Sequence, residues 1–221
     1  MTYMQNNKYI SILGDSISTY IGYQPYGYKV YYREDRLYDN ELESVDDTWW
    51  MQVIDALGGT LCVNNSYSGS TVRGGFFPAA CSDERCSSLH GEHAPDLILL
   101  YIGTNDRGYN VPLGMEEPLD SETFYGAYRL MLQKIKRNYP SAKIVCATLP
   151  MGKLQGGGDL DDIFKREDTR FDEAIKRAVR EENCILADIA SFKEPYESLD
   201  YAHPTKNGHR TLAELWLKAL R

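Results

Sequence analysis

The sequence predicts an α/β fold in three layers, a parallel sheet covered by helices on both faces, and three observations carry that expectation. Short, nearly unbroken apolar runs recur at residues 9–13, 60–63, 97–102, 142–149 and 184–188. Stretches with apolar residues at helical spacing stand between them. The first three runs discharge into small and polar residues, at Gly14-Asp15-Ser16, Asn64-Asn65-Ser66 and Gly103-Thr104-Asn105. A strand buried on both faces is apolar throughout, whereas a strand with one wet face alternates, so these runs point to parallel strands joined by helical crossovers. The chain has 221 residues, 43% of them hydrophobic, enough for one well-buried core, and residues 1–221 are expected to form a single domain.

The elements follow in order. Tyr9-Ile10-Ser11-Ile12-Leu13 reads as the first strand, and Gly14 as the residue that lets the backbone turn, leaving Ser16 at the strand's carboxyl end. Tyr20 through Tyr38, rich in tyrosine and interrupted by glycines and Pro25, reads as a long loop suited to walling a pocket. Asp46-Asp47-Thr48 offers capping side chains to a helix with Trp50, Val53, Ile54 and Leu57 on one face, ending at Gly58-Gly59. The second strand, 60–63, runs into Asn64 through Ser70, and a weak helix lies near Asp83 to Leu89. Pro95-Asp96 introduces the third strand, which stops at Gly103. A helix capped near Ser121 carries the stripe Phe124, Tyr128, Met131, Leu132 and Ile135. After the fourth strand, 142–149, comes a flexible Gly156-Gly157-Gly158 connection. A long helix follows from near Asp159, with Ile163, Phe164, Phe171, Ile175 and Val179 inward. The fifth strand, 184–188, is followed by a loop over Ser191 to Pro204 and a last helix with Leu212, Leu215, Trp216 and Ala219 inward.

Composition excludes several classes of partner. With 24 basic and 32 acidic residues the net charge is −8, which repels nucleic acid and anionic lipid surfaces. No apolar run reaches the roughly 18 residues of a membrane span, and Met1 to Lys8 has no signal-peptide pattern, so a cytoplasmic location is expected. Five cysteines, an odd number, do not make a disulfide framework. Cys81, Cys86, His90 and His93 cluster in sequence, but a structural zinc site has tighter cysteine pairs and a longer central span, so no metal is expected there.

In a doubly wound parallel sheet the ligand lies beyond the carboxyl ends of the strands, where strand order reverses. Ser16, Gly69 and Asn105 all follow such ends. A serine hydroxyl is a weak nucleophile and needs a base, and Asp200-Tyr201-Ala202-His203, just before the last helix, offers one. An acid three residues ahead of a histidine can hold its Nδ1–H and leave Nε2 free to take a proton. Negative charge on a tetrahedral intermediate needs donors, and the candidates are the backbone N–H groups of Ser16 and Gly69 and the side-chain amide of Asn105. At Gly69 a side chain is expected to obstruct the substrate. Ser18, near the same strand end, is the competing hydroxyl.

Gly-Asp-Ser after the first strand, a Gly after the second, Gly-Thr-Asn-Asp after the third and Asp-x-x-His before the last helix together resemble the SGNH hydrolases, the GDSL-type esterases and lipases. The resemblance spans Gly14 to His203. It implies a flavodoxin-like sheet of five parallel strands, Ser16 as nucleophile, His203 as base, Asp200 as its support, an oxyanion hole of Ser16, Gly69 and Asn105, and no metal or organic cofactor. The first block reads Gly-Asp-Ser-Ile-Ser, without the Leu of the GDSL name, and no extended apolar lid is visible. The expected activity is therefore hydrolysis of short, acetyl-like esters of sugars or other polar alcohols through an acyl-enzyme. The alternatives are a lysophospholipase, thioesterase or acyltransferase on the same scaffold, or a non-catalytic flavodoxin-like binding module.

Overall fold

The computed structural model describes residues 8–115, 117–157, 159, 163 and 168–221. Its elements are β1 (Lys8–Gly14), α1 (Glu34–Asn40), α2 (Trp49–Ala56), β2 (Gly59–Asn64), α3 (Asp83–Ser87), β3 (Leu97–Tyr101), α4 (Thr104–Gly108), α5 (Phe124–Asn138), β4 (Lys143–Ala147), β5 (Gly152–Leu154), α6 (Thr169–Glu181), β6 (Ile185–Ala187), β7 (Tyr196–Ser198) and α7 (Lys206–Ala219). Five strands form one parallel sheet in the order β2-β1-β3-β4-β6. This is the expected α/β arrangement. From β1 the chain crosses outward through α2 to β2, then returns to build β3, β4 and β6 on the other side. Right-handed crossovers in opposite directions put their helices on opposite faces. Accordingly α2 packs on α7, while α5 packs between α3 and α6. The order reverses at β1 and β3, so the turns after these two strands flank the switch point.

The helices form where the apolar spacing places them. Thr48 caps α2 by accepting from the N–H of Met51, and Trp49 stacks on Trp216 of α7 with ring centroids 5.0 Å apart. Phe124, Tyr128, Met131, Leu132 and Ile135 of α5 are all fully buried. Thr205 is the N-cap of α7.

The structure adds detail to several of these expectations and corrects others. The long loop ends early, because Glu34–Asn40 is helical. Thr123, not Ser121, caps α5, while Asp120 takes the N–H groups of Glu122 and Thr123. Of the helix expected from Asp159, the described part is α6, opened by Asp168; Ile163 is itself helical and buried, and Phe164 lies outside the described residues. β5 lies just before the Gly156-Gly157-Gly158 connection, where no element was expected, and β7 lies in the stretch read as a loop at 191–204; the two pair in parallel as a second, two-stranded sheet. Strands of three residues carry no periodicity, and their partners lie over 40 residues apart, so nothing local announces them.

Candidate active site

Ser16 stands at the first position of a 3-10 turn, Ser16–Ser18, that begins where β1 ends. Asp15 caps the turn by accepting the N–H of Ile17 at 3.0 Å. Gly14 is required for a different reason from the one anticipated. Its φ is not in the left-handed region, but a Cβ there would sit 2.6 Å from Ser18 Oγ and 3.0 Å from the Tyr101 carbonyl. The turn can fold back onto β1 only because that space is empty. Ser18 itself is fully buried, its hydroxyl accepting from Trp49 Nε1 at 3.2 Å, so it faces the core. Ser16 remains 6% exposed.

Ser16 Oγ lies 2.9 Å from His203 Nε2, and His203 Nδ1 lies 2.7 Å from Asp200 Oδ2. A residue from the first strand end and two from the last loop thus form one line of hydrogen bonds. The loop curls around the carboxylate: Tyr201 adopts φ +66°, and the N–H groups of Ala202 and His203 both donate to Asp200 Oδ1, at 3.1 and 2.8 Å. Partial burial pushes the Asp200 carboxyl up in pKa, but these donors and the His203 ring overcome it and hold the group at about 2. Asp200 therefore stays charged at neutral pH. With His203 Nδ1–H turned to that carboxylate, Nε2 presents its lone pair to the serine hydroxyl. The second sheet holds this loop in place, with Thr205 N–H donating to the Glu197 carbonyl and the Tyr196 hydroxyl donating to the Ala202 carbonyl.

The turns after β2 and β3 meet beside Ser16. Tyr67 N–H donates to the Gly14 carbonyl at 3.2 Å, and Asn105 Nδ2 donates to the Ser70 carbonyl at 2.8 Å. A primary amide has two N–H donors, so Asn105 can brace this turn and still offer a hydrogen to a ligand. None of the backbone hydrogen bonds of these turns uses the N–H of Ser16 or of Gly69. At Gly69 a Cβ would meet no protein atom within 4 Å, so the space beside it is open, and φ +84° independently favours glycine.

Two buried charges hold these turns, and neither was singled out in the sequence. Arg85 of α3 is fully buried. Its guanidinium donates to the carbonyls of Gly14 (3.0 Å), Asn65 (2.7 Å) and Pro78 (2.5 Å), to Asn65 Oδ1 (2.5 Å) and to Ser70 Oγ (3.2 Å). Burial lowers its pKa to about 10, which leaves it protonated at neutral pH. Asp106, adjacent to Asn105, accepts the N–H groups of Val72 (2.8 Å) and Arg73 (3.0 Å). Burial raises its pKa to about 6 against those bonds. Burial raises Asp15 likewise to about 6, and its Oδ2 has no partner among the described residues. Asp15 and Asp106 stand inside the blocks Gly-Asp-Ser and Gly-Thr-Asn-Asp, where adjacency was the available signal. Arg85 sits in a segment whose cysteines and histidines had drawn notice instead.

That segment serves the core. The Cys81 and Cys86 thiols donate to the carbonyls of Gly74 and Ala80, His90 meets the Tyr139 hydroxyl at 3.1 Å and His93 stacks on Tyr9, so the four point to separate partners. The tyrosine-rich loop reaches the candidate site through Tyr31. Tyr31 lies flat on His203, and Tyr28, Tyr67 and Phe77 form a mutual cluster with centroids 5.2–5.4 Å apart.

Comparison with known proteins agrees with this architecture. The sequence profile of the GDSL-like Lipase/Acylhydrolase family matches residues 8–150. A multidomain esterase of Ruminococcus flavefaciens is 32% identical over 136 residues, which are 58% of this chain and 16% of that protein's length. A crystal structure from Bacteroides ovatus, described as a GDSL-like lipase, superposes with a TM-score of 0.73 at 26% identity over 98% of this chain and 99% of its own. A carbohydrate esterase family 2 enzyme from Corynascus thermopiles, which carries a carbohydrate-binding domain, shares the fold at 23% identity and a TM-score of 0.59, covering 96% of this chain and 66% of its own. No helix among the described residues is long and apolar enough to cross a membrane. With its fold, its strand-end motifs and these relatives in agreement, the chain belongs to the GDSL-like lipase/acylhydrolase family, the SGNH hydrolases.

Proposed function

We propose that this hydrolase removes short acyl groups, acetyl above all, from sugars or similar polar alcohols, with Ser16 as nucleophile, His203 as general base and acid, and Asp200 as its support. The observation that carries the chemistry is the line Asp200 Oδ2, His203 Nδ1, His203 Nε2, Ser16 Oγ, with contacts of 2.7 and 2.9 Å. Ser16 Oγ attacks the ester carbonyl while its proton passes to His203 Nε2. The negative charge moves to the former carbonyl oxygen, which takes hydrogen bonds from the N–H groups of Ser16 and Gly69 and from the Asn105 amide; each such donor is worth about 3 kcal/mol in the barrier. Collapse expels the alcohol, which leaves with the proton from His203. Water then gives a proton to the same nitrogen and attacks the acyl-serine, and collapse returns that proton from His203 to the departing Ser16 Oγ and releases the acid.

The surroundings favour the substrate class. Rings that present faces beside a catalytic turn suit the apolar faces of a polar ring-shaped alcohol, and the cluster of Tyr28, Tyr67 and Phe77 supplies them next to Gly69. Phe76, the neighbour of Phe77, is 89% exposed. The kinship to a carbohydrate esterase family 2 fold points the same way. Chromogenic esters of graded acyl length, run beside acetylated saccharides, test the proposal. Turnover should be highest for acetyl and fall by about tenfold or more at eight carbons. Equal or faster cleavage of the long esters would overturn the choice of substrate while leaving the serine chemistry intact.

A further inference from the structure

We infer that Tyr31 is a positioning residue of this chemistry: its ring fixes the plane of the His203 imidazole and favours the charged form that arises as Ser16 loses its proton. The inference rests on the proposed roles of Ser16 and His203. The two rings are stacked with centroids 3.5 Å apart and planes 4° from parallel. Among the described residues most aromatic contacts are tilted or edge-on, and the other two stacked pairs, Tyr9 with His93 at 4.2 Å and Trp49 with Trp216 at 5.0 Å, are wider than this one. A close parallel contact instead suits a ring that carries positive charge for part of the cycle, since the electron-rich face of tyrosine attracts a cation. Asp200, the other source of stabilisation, has a side chain 47% exposed and is screened by water, so a second one matters.

Tyr31 is held where this role needs it. Its N–H donates to Thr19 Oγ1 at 2.9 Å, and the same hydroxyl donates to the Ser16 carbonyl at 2.9 Å, so one threonine ties the stacked residue to the nucleophile's own turn. Tyr32, edge-on to Tyr31 at 5.0 Å, donates its hydroxyl to the Pro204 carbonyl at 2.8 Å, next to His203. Both ends of the Ser16–His203 contact are thereby indexed to this pair of tyrosines. Rotating the imidazole off the ring would break the bonds at Nδ1 and Nε2 together.

The test compares Tyr31→Leu and Tyr31→Phe with the parent on a chromogenic acetyl ester, with folded sites counted by stoichiometric reaction with a serine-directed phosphonate. Tyr31→Leu should lower kcat about tenfold with KM within about twofold, because the contact strengthens only when the imidazole is charged. Tyr31→Phe, which keeps the face, should restore most of that loss. Tyr31→Met replaces the leucine variant if the latter melts below the assay temperature. An aliphatic variant with undiminished kcat, a loss that falls on KM, or a phenylalanine variant as impaired as the leucine one would overturn the inference. A parent protein without ester turnover would instead sink the functional reading on which it rests.

Discussion

The two halves of the site are built on opposite plans. The nucleophile side, the turns after β1, β2 and β3, is held by charges with almost no exposure: Arg85 donates to five oxygens, and Asp106 accepts two N–H groups from the turn that follows Gly69. The base side is a loop near the surface, in which Asp200 is about half exposed and the chain curls around it through a left-handed Tyr201. The difference matches what each half must do. On the proposed mechanism the oxyanion donors have to be fixed before charge develops, and their turns are held by hydrogen bonds to buried charged groups. In the proposed mechanism His203 exchanges protons with water and alcohol, which suits a loop that stays accessible, steadied by stacking and by the short second sheet.

Substitutions that cut one half at a time sharpen this contrast. Arg85→Met should have the larger effect on the whole molecule, because it strands five buried acceptors in the absence of water. A loss of about 3 kcal/mol or more in unfolding free energy is expected, read as a lower urea midpoint, together with a fall in kcat as the Gly14 and Ser70 turns relax. Arg85→Lys should recover little, since an ammonium cannot span the same fork of partners. Asp200→Ala should do the reverse, cutting kcat by about 10²- to 10⁴-fold while the melting temperature moves by only about 2 °C, as befits a half-exposed ion pair. If Arg85→Met left stability and turnover intact, or Asp200→Ala unfolded the protein, the division into a locked half and an open half would fail.

The same division explains how much the sequence could disclose. The parallel sheet was legible because its strands are continuous apolar runs, and the candidates Ser16, Gly69, Asn105, Asp200 and His203 could be marked because each lies beside an element end in a short, ordered motif. Those residues carry their signal locally. Arg85, by contrast, acts through oxygens 7 to 71 positions away along the chain, and a single arginine amid polar residues has no pattern to betray burial. Tyr31 was hidden for the opposite reason: in a run of tyrosines nothing local tells which ring will meet the histidine. The paired strands β5 and β7 were missed on length alone. Gly14 and Gly69 were marked as significant, and the structure adds a reason to each, a close approach of Ser18 in one case and a positive φ in the other.

The central claim is that the hydroxyl delivered by the first strand is the one activated by the imidazole delivered by the last loop. Treatment with a fluorophosphonate followed by peptide mass spectrometry tests it most directly. One adduct per chain on Ser16 is expected, with the rate of labelling reduced by at least about 10³-fold in His203→Ala. Labelling on Ser18 or any other serine, or ester turnover that persists in Ser16→Ala, would contradict it.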